Sequence, residues 1–216
     1  DTAAERAASG TDTPQGLLRI TMPQWFANRR VAEWLAEYRR RYPEVTLELS
    51  LDNRKIDLIA DGFDMALRVS SDPQPSLIVK PLTEIRFFPV ASPDYLRRHG
   101  VPATLAEAAQ HQAVLPSYVD MSTVTLTRNG ETETLQLTSP MRSNSTLMLR
   151  KLIQAGSGIG YMPEWLVAND LSQGSLVQLL PEYEMPPIKL YAAYVDRAFL
   201  SAKVRSFIDF LVEKMQ

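Results

Sequence analysis

Few residues in this 216-residue chain have side chains suited to bond-making chemistry. It contains two histidines, His99 and His111, and no cysteine. The missing cysteines exclude disulfides, thiolate metal sites and cysteine nucleophiles. His99 stands directly before Gly100 at the end of a predicted helix, where an imidazolium complements the helix C-terminus. His111 follows another short predicted helix and fits the same structural reading. The two share no carboxylate pattern with metal-ligand spacing. The chain has no His-Glu-x-x-His, no Gly-x-Ser-x-Gly and no Gly-Lys-Ser/Thr phosphate loop. Gly156-Ser157-Gly158-Ile159-Gly160 has the glycine density of a nucleotide loop but the wrong order, since it follows a predicted helix and precedes a predicted strand. It reads as a helix cap and tight turn whose glycines let a strand begin close to a ligand.

The remaining polar groups are suited to holding a molecule. At Met22-Pro23-Gln24-Trp25-Phe26 a predicted strand turns into a helix start, where unpaired amides favour an anion. Trp25 and Phe26 either wall an apolar pocket or pack in the core. Arg68, near the end of another predicted strand and followed by Ser70 and Ser71, has three candidate partners: a ligand carboxylate, Asp64 or Asp72. Pro116-Ser117-Tyr118 and Ser143-Asn144-Ser145-Thr146 also fall at strand ends or helix starts. Asn144-Ser145-Thr146 matches a glycosylation triplet, but helix capping explains it better. Hydroxyls, amides and one guanidinium bind a small polar or anionic molecule. They do not make a proton-transfer machine, which needs a positioned acid or base. The expectation is no catalytic residue, no metal and no cofactor.

The elements that must position these groups follow from periodicity. Leu17–Thr21 reads as a strand. Val31, Trp34, Leu35, Tyr38 and Tyr42 then recur at helical spacing until Pro43. Val45, Leu47, Leu49 and Leu51 alternate with polar residues as a strand. Lys55–Asp61 is expected to be a short helix closed by Gly62, and Phe63–Val69 a third strand. Strand, helix, strand, helix, strand predicts a parallel sheet with right-handed crossovers. Further strands are expected at Leu77–Val79, Ile85–Ala91, Ala113–Leu115, Ile159–Met162, Leu176–Leu180 and Leu190–Val195. Asn129-Gly130 marks a hairpin between Val124–Thr127 and Thr132–Leu137. Helices are expected from Ser92-Pro93 to Gly100, after the Thr104/Glu107 capping box, from Ser143–Thr146 to Ala155, over Pro163–Ala168 and over Ser201–Met215. The order suggests two α/β units, the second inserted before the terminal helix. Ligands of such sheets bind beyond the carboxyl ends of the strands.

Composition agrees. The chain carries 23 Lys+Arg and 25 Asp+Glu, with 45% apolar and 22% charged residues. These values fit a globular protein and leave no basic footprint for gripping nucleic acid. No apolar run approaches the roughly 18–20 residues of a membrane span.

Several stretches, taken in order, resemble the effector-binding domain of LysR-type transcriptional regulators. They are Leu17-Leu18-Arg19-Ile20-Thr21-Met22-Pro23, Arg41-Tyr42-Pro43-Glu44-Val45, and above all Ile56-Asp57-Leu58-Ile59-Ala60-Asp61-Gly62-Phe63-Asp64-Met65-Ala66-Leu67-Arg68. Val90-Ala91-Ser92-Pro93-Asp94-Tyr95-Leu96, Ala155–Gly160, Met162-Pro163 and Lys203–Leu211 continue the series. Within that family the chain is similar to the large group that includes the CrgA and AaeR types. The resemblance implies an α/β fold of the periplasmic-binding-protein-like type 2, with two Rossmann-like subdomains joined by crossing strands around an effector cleft. It divides the chain into the end of a linker helix and hinge (1–13), subdomain I (14–88 plus 192–216) and subdomain II (89–191). A winged helix-turn-helix that binds DNA would precede this domain and is absent from the sequence. The resemblance further implies a homodimer, with a tetramer possible in the full-length protein. In the dimer the first helix of one subunit meets the Thr146–Ala155 helix of the other.

Carried over by position, the effector contacts are Pro23, Gln24, Trp25, Asp52, Asn53, Arg68, Val69, Ser70, Pro116, Ser117, Tyr118, Asn144, Ser145, Thr146, Gly158 and Ile159. Gln24-Trp25 stands where family members often place a Ser or Thr, and a Trp25 ring filling part of the pocket disfavours the usual small aromatic acid. The expected function is ligand sensing and oligomerisation in a bacterial, cytoplasmic regulator, whose small-molecule effector, anionic or aromatic, alters DNA binding by the full-length protein, with no membrane partner. A periplasmic solute-binding protein is the alternative on the same fold class. An enzyme on this scaffold is a third reading, without a catalytic set to support it.

Overall fold

The structure is a computed structural model that describes residues 13–54, 57–69, 77–195 and 200–216. The expected linker-helix end lies almost wholly outside these residues, as do Lys55, Ile56 and Ser70. The chain separates into two units, taken from Asp1–Pro23, Arg29–Thr83 and Lys189–Gln216, and from Gln24–Asn28 and Glu84–Ile188. Gln24–Asn28 groups with the second of these units.

The first unit is organised by a five-stranded sheet in the order β2-β1-β3-β12-β4. Strand β1 (Gly16–Met22) runs parallel to both β2 (Val45–Leu51) and β3 (Met65–Val69). Leu18, Ile20 and Met22 of β1 are buried, as a central strand requires. Helix α1 (Arg29–Arg41) makes the β1–β2 crossover and buries Val31 and Tyr38. The three strands expected to be parallel are so, and β12 (Ile188–Tyr194), outside that expectation, joins antiparallel to β3, pairing Leu190 with Val69. The expected Lys55–Asp61 helix is reduced, within the described residues, to hydrogen-bonded turns. The Asp57 carboxylate accepts from the Ile59 and Ala60 amides, and Gly62 closes the segment at φ +69°. Asp side chains compete in this way with continued helix. Two strands expected at Leu77–Val79 and Ile85–Ala91 are β4 (Ile78–Ile85) and β5 (Phe87–Ala91).

In the second unit β5 is central to a small antiparallel sheet, ordered β10-β5-β11. Its partners are β10 (Gly160–Pro163) and β11 (Val177–Gln178). Helix α2 (Pro93–His99) starts on Ser92, whose hydroxyl accepts from the Tyr95 amide. Helix α3 (Leu105–Ala108) starts on Thr104, which accepts from Glu107, while Glu107 reaches back to the Ala103 amide. Strand β6 (Gln112–Pro116) pairs in parallel with β9 (Thr138–Ser143). The latter strand was not legible in the sequence, because Pro140 and its exposed polar residues give no alternation. The predicted hairpin joins β7 (Thr123–Arg128) to β8 (Glu131–Gln136), with Asn129 and Gly130 both at positive φ.

Helices α4 (Thr146–Gln154) and α5 (Glu164–Gln173) are tied by an ion pair whose carboxylate is buried and whose guanidinium is partly exposed. The Asp170 carboxylate, 4% exposed, accepts two Arg150 bonds of 2.7 and 2.9 Å, and Gln154 and Ser175 complete its shell. Helix α6 (Ala202–Met215) returns to the first unit, where Phe207 packs edge-on against Tyr38.

Removing one partner of a buried, hydrogen-bonded pair leaves an uncompensated charge, at a cost of about 3–5 kcal/mol. Asp170→Ala should therefore lower the melting temperature by roughly 6–20 °C, a loss that added salt does not reproduce in the parent chain.

Candidate functional site

The parallel pairing of β1 with β2 and β3 gathers three carboxyl ends along one edge of the first unit. Pro23 follows β1, Asp52 and Asn53 follow β2, and Arg68 and Val69 end β3. The Asp52 amide donates to the Met22 carbonyl at 2.9 Å and so holds the turn after β2 against the end of β1. Asp52 carries its own counter-ion. Its carboxylate accepts from the Arg54 side chain (Nε, 2.8 Å) and the Arg54 backbone amide (2.8 Å). The Arg54 bonds hold the carboxyl below its ordinary range, burial opposing them.

Arg68 is in a different position. Its Nη2 donates to the Thr21 hydroxyl at 2.6 Å and its Nη1 to the Leu67 carbonyl at 2.8 Å. Thr21 is fully buried. Both acceptors are neutral, and among the described residues Arg68 makes no salt bridge. Burial lowers its pKa to about 10, opposed only in part by the charge of Asp52. The bridge to Asp64 does not form, because that carboxylate is already bound to the Arg19 amide (2.8 Å) and to Lys203 (3.0 Å). Asp72 lies outside the described residues. A part-buried guanidinium whose described acceptors are all neutral is chemically suited to pairing with an anion. Thr21 is the Arg68 partner that the sequence did not suggest, a buried hydroxyl in a strand whose other polar side chain is Arg19.

The second unit has its own polar edge where β6 and β9 end side by side, Pro116 opposite Ser143. The Ser117 amide donates to the Ser143 carbonyl at 2.9 Å. Ser145 is the cap expected from the sequence, its hydroxyl accepting from the Met148 amide. Asn144 is exposed and Thr146 buried. The Tyr118 hydroxyl and Thr146 Oγ1 lie 3.0 Å apart in a hydrogen bond. Burial pushes the Tyr118 phenol above its ordinary pKa, so it stays neutral at physiological pH. Gly158 and Ile159 meet β6 nearer its beginning. The Ile159 amide donates to Gln112 O (2.9 Å) and its carbonyl accepts from Val114. They are therefore about 10 Å along the strand from the Pro116–Tyr118 end.

Gln24 and Trp25 lie in a short 3-10 turn, Gln24–Phe26, belonging to the second unit. The aromatic alternatives resolve toward packing. Trp25 and Phe26 are 4% and 3% exposed. Their rings meet at 4.6 Å and both pack on Trp165 of α5, at 5.8 and 5.9 Å. Trp165, unremarked in the sequence, anchors this turn. Among the described residues no cluster of three or more His, Asp or Glu could hold a metal ion, and no helix is long and apolar enough to cross a membrane.

The two α/β units, with their mixed sheets and helices, have the type 2 periplasmic-binding-protein-like α/β fold. Residues 11–216 match the family model described as the LysR substrate binding domain, and the chain belongs to that family. It is 31% identical over 205 residues to the HTH-type transcriptional regulator PtxR of Pseudomonas aeruginosa, covering 94% of this chain and 65% of that regulator. The chain thus spans just under two thirds of that relative's length. The regulatory domain of CrgA, a LysR-type transcriptional regulator from Neisseria meningitidis, superposes with a TM-score of 0.84 at 29% identity, covering 94% of this chain and all of that one. Full-length AphB, a Vibrio cholerae virulence activator, gives 0.82 at 28%, covering 99% of this chain and 73% of that one.

The β6 contact makes a sharp packing test. A Cβ on Gly158 (φ +153°) would stand 2.5 Å from the Gln112 carbonyl oxygen, whereas one on Gly174 (φ +72°) meets nothing within 4 Å. Gly174→Ala should cost only the left-handed penalty of about 1–2 kcal/mol. Gly158→Ala should cost more, measured as the lower melting temperature of the two.

Proposed function

We propose that this chain is the effector-sensing domain of a LysR-type transcriptional regulator and that its effector is a small carboxylate. The observation that carries the proposal is Arg68, a desolvated cation with no carboxylate bound to it among the described residues. Folding such a group is costly unless a ligand repays it, which makes a carboxylate the natural occupant. An aromatic effector is less well supported, because the Trp25 and Phe26 rings are used in packing against Trp165. The other proposed contacts are Pro23, Gln24, Asp52, Asn53, Val69 and Ser70, together with Pro116–Tyr118, Asn144–Thr146 and Gly158–Ile159. In this reading the effector binds between the two subdomains, as the family resemblance implies. DNA is bound by a further domain of the full-length protein, and the regulator works in the cytoplasm as a homodimer or higher oligomer. The ligand shifts the regulator only by its difference in affinity for two states.

A thermal-shift screen against small carboxylates tests this. Saturation at one hundred times the dissociation constant should raise the melting temperature by roughly 5–10 °C. Arg68→Ala should weaken the best binder by roughly 10- to 100-fold in a calorimetric titration. Arg68 keeps its charge up to about pH 10, so the affinity should be flat between pH 6 and 8. Unchanged affinity in a folded Arg68→Ala variant would remove this residue from the site.

A further inference from the structure

Tyr95 in the second unit lies between the chain's two histidines. Its ring stacks on His99 at 4.4 Å and 25°, and its hydroxyl is 3.0 Å from His111 Nδ1. His111 closes the segment after α3 through its amide, which donates to the Ala108 carbonyl at 3.1 Å. The next residue, Gln112, opens β6 and accepts the Ile159 amide beside Gly158. The His111 ring is therefore one residue away from a backbone joint that holds two proposed effector contacts.

We propose that the Tyr95–His111 hydrogen bond is a pH-sensitive joint, in which the phenol donates to neutral His111 and the bond must reverse when the ring takes a proton. Neutral His111 offers Nδ1 as an acceptor for the phenol proton. A protonated imidazole has only donors, so the phenol oxygen, which already receives the Gln112 amide, must accept from Nδ1 as well and turn its own proton elsewhere. The surroundings favour the neutral form. Burial and the facing His99 of α2 lower the His111 pKa, and only Glu107 of α3 opposes them. Arg98, also of α2, adds positive charge near the Tyr95 hydroxyl. The Glu107 carboxylate is itself bound to the Ala103 amide. A histidine whose folded-state pKa is depressed leaves stability intact above the unfolded value near 6.5. Stability then falls as the pH drops below about 6.5, where the unfolded chain takes a proton that the folded chain resists.

With only two histidines, the test is direct by NMR. The imidazole resonances of the whole chain are followed from pH 8 to 5, and His99→Gln assigns them. The proposal expects a His111 midpoint below 6.5, an upward move of that midpoint in Tyr95→Phe, and an Ile159 amide shift that follows the same titration. A His111 midpoint at or above 6.5, or one indifferent to Tyr95→Phe, overturns it. Should Tyr95→Phe fail to fold, melting curves decide instead. The drop in melting temperature from pH 7.5 to 5.5 should be smaller in His111→Gln than in the parent chain, and an equal drop contradicts the joint.

Discussion

The arrangement rests on a part-buried positive charge, Arg68, to which no carboxylate is bound among the described residues. Arg68 donates to a buried hydroxyl and a backbone carbonyl, and both are neutral. A guanidinium in that setting is disfavoured relative to solvent, and its lowered pKa of about 10 expresses this cost. A protein avoids such a cost by placing an aspartate beside the arginine. Among the described residues the nearby carboxylates are bonded elsewhere, Asp52 to Arg54 and Asp64 to Lys203, and Asp52 acts on Arg68 only through its charge.

The sheet of the first unit fixes the strand that carries Arg68. Parallel pairing in register from Gly16–Val45 to Met22–Leu51 fixes the ends of β1 and β2, and β3 joins on the other side. Leu18, Ile20, Met65 and Leu67 are buried in the strands that bring Thr21 and Arg68 to 2.6 Å. The second unit achieves rigidity by other means. A satisfied Arg150–Asp170 pair fixes α4 to α5, and Trp165 fixes the Gln24–Phe26 turn. Helix α4, whose start carries Thr146, is thereby held at its middle as well as at its capped end.

Much of this was legible in the sequence, for physical reasons that differ by element. The Val45–Leu51 alternation, the Asn129-Gly130 turn, the Ser92 and Ser145 caps and the terminal amphipathic helix are local signals, and the structure contains all of them. The family resemblance was likewise readable from ordered short stretches, and the family match agrees. Long-range features were not readable. Nothing local distinguishes an antiparallel β12 from another parallel strand. The proline-bearing β9 has no periodicity, and the tie between Arg150 and Asp170 spans twenty residues. At the candidate site, Arg68 stood out by type and position. Its hydroxyl partner Thr21, the occupation of Asp64 and the packing of Trp25 depend on neighbours from distant strands and helices, which spacing alone does not reveal.

The most direct test of the central claim is a crystal structure of this chain with the tightest-binding carboxylate. The account predicts a carboxylate oxygen within about 3 Å of the Arg68 guanidinium, with the Thr21 contact retained. A ligand bound away from Arg68, or an Arg68 paired instead with a carboxylate of its own chain, would contradict it.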